Sequence, residues 1–530
     1  MSLTHKILEE IEIHAKNGGL VIDPKHASSK NQWIRVETWI GDQKKGYGIG
    51  FSDSDDVAFD DTLAIQREID FVADKSYKEA ESNYFELRSK NTKTEGNPFN
   101  WHSEEKPVNF SEEIETPAVD LEALCKILTE ASDKLFEGID TEDKNENKGI
   151  VNEEVSLALE KETRRYVNSE GTAIKTESYM AHVAFTVLVR DKEGQEKEYI
   201  KTICTLNPRE LLDQSLINEV IDDLLKTAKD RINCEALDSG TYKVIFDPKA
   251  LGTAVHEALG AHLVSAQHVL EDHATTFGVN KLEKQVMSAD ISVYDDATLS
   301  GGWGSYKYDE EGVPSQRTVL VENGILKSYL HTRNTAAKLK KILPKKRPAL
   351  YKDGRIYFDG HSNGKARIGA DDGSIGFPEP RTSNLIIESS NLKTRQDLID
   401  QLIYACKKDG DKFGILVEGG SGDVDVETGE FRYYPNRMTK VYIDGTQEPV
   451  SRAIMIDKPH TFLGNIKILG GEYGSDKAWC GGSSGIIPSE IRSPWGLVYP
   501  VEFKTEEDEV PKPRYVEKLK RKPTSQPKSL

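Results

Sequence analysis

Apolar and polar residues alternate along Gln32-Trp33-Ile34-Arg35-Val36-Glu37-Thr38-Trp39-Ile40, the period of a strand with one face on a core. The chain then turns at Gly41-Asp42 into a second strand that ends at Phe51. Ile65, Ile69 and Val72 recur at helical spacing, as do Leu121, Leu124, Cys125 and Leu128. Between these helices residues 76–118 are polar and poor in pattern, which predicts a long loop or insertion. The Asp/Glu/Lys/Asn run at 140–149 predicts another solvated connection. Strands resume at 155–159, 181–189 and 197–206. A helix carrying Leu212, Leu216, Ile217, Val220, Ile221 and Leu224 closes a first domain, residues 1–240.

A second domain, residues 241–505, opens on the strand Tyr242–Phe246. Asp247-Pro248 follows as a helix start, with Asp as N-cap and Pro in the first turn. That helix runs into Val255-His256-Glu257-Ala258-Leu259-Gly260-Ala261-His262. Beyond about 285 the chain is rich in glycine and strand patterns, with hairpin signals at Asn323-Gly324, Asp353-Gly354 and Asp444-Gly445. The expected fold is α+β in two domains, the second mainly β and carrying a metal-site helix. From 506 the chain turns acidic, then basic and proline-rich, which predicts a disordered tail over 506–530.

Composition narrows the classes. A chain of 530 residues exceeds one compact core. Its net charge of −19 repels phosphate, so no nucleic-acid partner is expected. Mean hydropathy is −0.56, and no apolar run reaches the ~20 residues a bilayer span needs, so no membrane partner is expected either. The stretch Ile7–Ile11 is an amphipathic start without a secretory apolar core, and a cytoplasmic location follows as the expectation. The five cysteines include no CxxC pair, which argues against a disulfide framework or a zinc ribbon.

The chemistry concentrates around His256. A helical histidine followed by glutamate, with another histidine soon after, is how many hydrolases hold zinc while a carboxylate handles the proton of the attacking water. Here the second histidine comes six positions after the first. On a straight α-helix that offset separates the side chains by roughly 120°. Gly260 lies between them, where a helix can bend or change pitch. The plain alternative is an amphipathic helix whose histidines, with His268 and His273 nearby, are surface polar residues. Glu257 is either the general base or an exposed helix glutamate. Cys480, in Trp479-Cys480-Gly481-Gly482, is a third zinc ligand, a nucleophile, or a loop thiol with no role. The run Gly419–Gly422 reads as a tight turn, because no Lys-Ser/Thr follows to make a phosphate cradle. His182 reads as a packed strand residue.

Several segments together resemble the TldD/PmbA family, the peptidase-like proteins once named modulators of DNA gyrase. His256-Glu257-Ala258-Leu259-Gly260 looks like the start of its His-Glu-x-x-x-His helix. Asp309-Glu310-Glu311-Gly312-Val313-Pro314 resembles its acidic-Gly-x-Pro turn, and Leu320–Lys327 its "enGxLk" strand. Arg381-Thr382-Ser383-Asn384 is similar to its Arg-Met-Thr-Asn segment, and Asn168-Ser169-Glu170-Gly171 to its "NSeG" signature. Thr428–Phe431 and the Cys480-Gly481 loop follow in the family's order. The resemblance spans about residues 30–500.

The resemblance implies a two-domain α+β protein with Zn2+ held by His256, His262 and Cys480 and with Glu257 as catalytic carboxylate. His262 matches when Ala261 counts as a one-residue insertion, since the family's second histidine falls five after the first. It also implies a homodimer or a heterodimer with a family paralogue, and a peptide or unfolded-protein substrate. The leading function is therefore a zinc-dependent peptidase. The alternatives are a catalytically inactive, peptide-binding partner subunit with a degenerate metal site, and a cysteine hydrolase using Cys480.

Overall fold

The computed structural model describes residues 1–21, 28–42, 46–54, 62–89, 102–138, 149–191, 194–271, 280–346, 358–371, 374–375, 377–425 and 428–506. Two large sheets organise it. The first is built from β1 (Ser2–Lys16), β2 (Ser28–Asp42), β3 (Gly46–Ser54), β4 (Asn109–Ser111), β5 (Gly149–Asn168), β6 (Ala173–Arg190) and β7 (Glu196–Thr205). Their spatial order is β3-β2-β1-β5-β6-β4, and β7 lies beside β6. Ala181, Val183, Phe185, Val187 and Val189 alternate inward on β6. They pack under two helices, α2 (Leu121–Glu137) and α3 (Gln214–Asn233), through Leu124, Leu128, Ile217, Ile221 and Leu224.

The opposite end of this sheet corrects the sequence reading. Helix α1 (Thr62–Ser89) continues through residues 76–89, where a loop was expected. It meets β2 and β3 with small and polar side chains. Ser76 is fully buried and donates to Thr38 Oγ1 and the Gly50 carbonyl, Ala80 is fully buried, and Asn83 donates to the Ile49 carbonyl. A helix that packs through Ser, Ala and Asn leaves little apolar period to read. Residues 139–148, Asp353-Gly354 and the tail beyond Glu506 lie outside the described residues.

The second sheet holds β8 (Gly240–Phe246), β9 (Ile291–Asp296), β10 (Arg317–Glu322), β11 (Ile325–Leu326), β12 (Asn384–Ser389), β13 (Phe413–Val424), β14 (Phe431–Tyr442), β15 (Ala453–Asp457), β16 (Ile466–Cys480) and β17 (Ile487–Thr505). The order is β11-β10-β9-β12-β17-β15-β14-β13-β8. Because β17 also pairs with β8, the last strands close on themselves. The Asn323-Gly324 hairpin joins β10 to β11 with both residues at positive φ, as a two-residue turn of primed type needs. The glycines at 419–422 lie within β13 rather than in a tight turn. Gly419 (φ 59°) and Gly420 (φ 149°) let the strand continue in a backbone shape other residues avoid.

The two sheets meet at the acidic turn. Asp309 accepts from the backbone N–H groups of Glu311, Val313 and Ala366, which fixes the turn. Arg164 of β5 donates to the Tyr308 and Asp309 carbonyls and pairs with Glu310 at 2.8 Å. Gly312 (φ 78°) admits Tyr166, since a Cβ there would stand 2.8 Å from its ring.

Candidate metal centre

Helix α4 (Pro248–Val255) begins as expected, with the Asp247 side chain accepting from Ala250 N and Pro248 in the first turn. Ala250, Leu251, Ala254, Val255, Ala258 and Leu259 are all fully buried, and Gly252 and Thr253 are buried as well, so the helix is enclosed on every side. Such a helix belongs inside a core. It packs against β13, β16 and β17. His256 is 4% exposed and is therefore a polar side chain in an apolar setting.

From His256 to Leu263 the helix widens into π-helical winding, closed by Val264 N–H donating to the Leu259 carbonyl five residues back. The 120° separation derived for an α-helix does not carry over to this wider turn. Gly260 sits in it against β12's lead-in: a Cβ would lie 2.7 Å from Thr382 Cγ2. The backbone of His262 lies in the same segment, and its side chain is outside what the structure describes. His268 is on the short helix Ala266–Leu270, and His273 is outside the described residues.

The helix and β16 meet in successive polar contacts. Lys249 pairs with Asp476 at 2.8 Å and Thr253 donates to the same carboxylate at 3.2 Å. One turn further along, His256 Nε2 lies 3.2 Å from Cys480 Sγ. Residues 476 and 480 share a strand face, as 249, 253 and 256 share a helix face. Cys480 ends β16 opposite Ile487 of β17, so the sheet fixes its position. Residues 224 apart in sequence thus come together.

Arg381 completes the surroundings. One end of its guanidinium donates to the Cys480 carbonyl (2.8 Å) and Sγ (3.2 Å), the other to Ser484 Oγ (3.0 Å) and the Gly485 carbonyl (3.1 Å). Glu257 is partly buried, with its Cγ beside Gly422 of β13. Burial pushes the Cys480 thiol up, but the Arg381 and His256 charges and hydrogen bonds outweigh it and bring it down to about 6. Burial opposes charge on His256, which the Cys480 sulfur nevertheless holds up at about 9. Burial raises the Glu257 carboxyl to about 8 against the pull of His256.

The donor chemistry fits zinc at two corners. A tetrahedral ion with Zn–N near 2.0–2.1 Å and Zn–S near 2.3 Å holds its N and S atoms about 3.5 Å apart. The observed 3.2 Å needs an opening of only a few tenths of an ångström. His256 Nδ1 is buried without a hydrogen-bond partner among the described residues. Among those residues, which do not include the His262 ring, no third His, Cys, Asp or Glu joins the pair. His182 is half-buried, with its ring edge-on to Trp479 at 5.6 Å, and desolvation lowers its pKa to about 4. Sequence reasoning did not single out Arg381 or Gly422 as site residues. The only available signal was that Arg381 opens a resemblance motif.

Residues 239–502 match the family model described as the PmbA/TldA metallopeptidase C-terminal domain. The chain belongs to the TldD/PmbA family. Metalloprotease MJ0996 of Methanocaldococcus jannaschii is 35% identical over 195 residues, 37% of this chain and 35% of that protein. A protein of Saccharolobus solfataricus named zinc metalloprotease TldD homolog is 26% identical over 177 residues, 33% of this chain and 38% of its own. The chain thus spans little more than a third of the length of these curated relatives. The fold is similar to that of TldE from Thermococcus kodakarensis, with a TM-score of 0.61 at 16% identity over 95% of this chain and 96% of that one. No helix among the described residues is long and apolar enough to cross a membrane.

Proposed function

We propose that this chain is a zinc-dependent peptidase that hydrolyses peptides or unfolded polypeptide segments in the cytoplasm. His256, His262 and Cys480 are its metal ligands and Glu257 is its general base. The observation that carries the reading is the 3.2 Å approach of His256 Nε2 to Cys480 Sγ, with a carboxylate on the very next residue. The metalloprotease names of its relatives support it. Zinc, when bound, supplies the Lewis acidity that activates water and polarises a carbonyl. Glu257 takes the proton of the attacking water and delivers it to the leaving amine. Gly422 brings the β13 main chain directly against Glu257, so an extended substrate can be held there by main-chain hydrogen bonds, with little demand on its sequence.

The test is metal analysis of protein purified without chelators, paired with an assay on unfolded peptides. About one zinc per chain is expected. Glu257→Gln retains the metal and loses about 10²–10⁴-fold in rate, and His256→Ala loses the metal. Absence of stoichiometric metal would reject the proposal. The protein acts as a homodimer or with a family paralogue. Inactivity alone, relieved by adding a second family member, would identify it instead as a peptide-binding partner subunit. A second reading, a cysteine hydrolase, draws on Arg381 and His256 both facing the Cys480 sulfur. Activity that resists chelators but falls to alkylation would favour it.

A further inference from the structure

Two motifs remain unused by the metal centre, the Asn168-Ser169-Glu170 corner and the acidic turn at Glu310-Glu311. They line one cavity of about 170 Å³ from opposite sheets, and neither His256, Glu257 nor Cys480 borders it. Four carboxylates face it, Glu37, Glu170, Glu310 and Glu311, against the guanidinium groups of Arg35 and Arg333. The Met1 residue is also on the wall, and Arg164 and Lys6 reach Glu310 from outside the lining.

The existing pairs use up most of this charge. Arg333 clasps Glu170 at 2.7 Å, Arg35 meets Glu37 at 3.1 Å and Arg164 meets Glu310 at 2.8 Å. Glu311 has no ion pair among the described residues, and its partner is the Arg333 backbone N–H at 2.6 Å. It is 9% exposed. Beside the carboxylates stands an aromatic wall. Trp39 lies edge-on to Tyr47, with ring centres 5.9 Å apart, and its other neighbour is His102 at 4.5 Å. A buried carboxylate without a counter-ion is costly, and aromatic faces attract organic cations.

We propose that this cavity binds an organic cation, an alkylammonium or guanidinium group, with Glu311 as its counter-ion and Trp39 and Tyr47 as its aromatic wall. Burial and the neighbouring Asp309 push the Glu311 carboxyl well above the usual carboxylate range, the direction expected of a carboxylate that lacks a close cation. The volume equals that of about six waters, room for a chain the length of butylammonium or agmatine.

Calorimetric titration of the full chain with n-butylammonium and with agmatine tests this, with neutral 1-butanol as the shape control. The expected result is saturable binding of one cation per chain and none of 1-butanol. Glu311→Gln keeps an acceptor for the Arg333 N–H, so its melting temperature stays near wild type while cation binding weakens by about tenfold or more. Trp39→Leu, which leaves every carboxylate in place, also weakens it. No saturable binding of either cation up to about 10 mM would overturn the proposal. So would equal binding of 1-butanol, or unchanged binding in Glu311→Gln. Titrating chelated and zinc-loaded protein in parallel separates this outcome from that of the peptidase reading.

Discussion

Gly260 is the position where the widened helix touches the strand that carries its neighbours, and alanine there gives a quantitative test. The new Cβ would stand 2.7 Å from Thr382 Cγ2, against 3.4 Å for the onset of ordinary contact, so the elements must part by about 0.7 Å (3.4 less 2.7). Thr382 is 2% exposed and has nowhere to retreat. Overpacking of this size costs about 1–3 kcal/mol, and replacing a helical glycine by alanine returns up to about 1 kcal/mol. Gly260→Ala should therefore destabilise by about 1–2 kcal/mol. Thr382→Ser removes the opposing methyl and alone costs about 1 kcal/mol. In the double variant the alanine methyl occupies the vacated space, giving a favourable coupling of about 1–2 kcal/mol. Urea transitions of the four proteins, followed by tryptophan fluorescence, measure it. Additivity within about 0.5 kcal/mol would refute the contact, and with it the seating of the π-helical turn on β12's lead-in.

Other outcomes follow from the same contacts. Arg381→Ala strips donors from the Cys480 and Gly485 carbonyls and Ser484, and should lower stability by about 2–4 kcal/mol, seen as a fall in melting temperature. Lysine should rescue little of it, because one point charge cannot span both ends of the fork. Lys365 and Asp295 form an ion pair with no exposure, so Lys365→Met should cost about 3–5 kcal/mol by calorimetry, and adding Asp295→Asn should recover much of that. Hydrogen bonds that the His14 ring donates to the Glu12 and Glu154 carboxylates raise its pKa from 6.5 to about 9. A raised pKa stabilises the fold fully below the unfolded value and not above the folded one. The stability advantage of wild type over His14→Gln should thus be whole below pH 6.5 and shrink as pH rises towards 9, in urea melts at stepped pH.

Legibility in the sequence followed what each element uses to pack. The alternation at Gln32–Ile40 lies in β2, and the period-2 runs at 155–159 and 181–189 are the buried cores of the longer strands β5 and β6. The α+β class followed from such stretches. Helix α1 escaped beyond residue 76 because Ser76, Ala80 and Asn83 make its contacts by fit and hydrogen bonding rather than by apolar area. The glycines of β13 looked like a turn because their composition signals φ freedom, and that freedom serves a strand passing close to Glu257 and Tyr433. At the site, the pairing of His256 with Cys480 depends on β16 running antiparallel to β17 beside α4. No local spacing encodes that juxtaposition; only the resemblance pointed to it. Arg381 illustrates the same limit, since its hydrogen bonds to the 480–485 loop exist only once three strands have assembled.

In the proposed site, histidine nitrogen and the Cys480 sulfur share one zinc ion. Zinc K-edge X-ray absorption of the purified chain reads this directly. A single sulfur scatterer at about 2.3 Å is expected together with nitrogen at about 2.0–2.1 Å, the sulfur shell vanishing in Cys480→Ser. A zinc shell of nitrogen and oxygen alone in the wild-type protein, unchanged by Cys480→Ser, would contradict it.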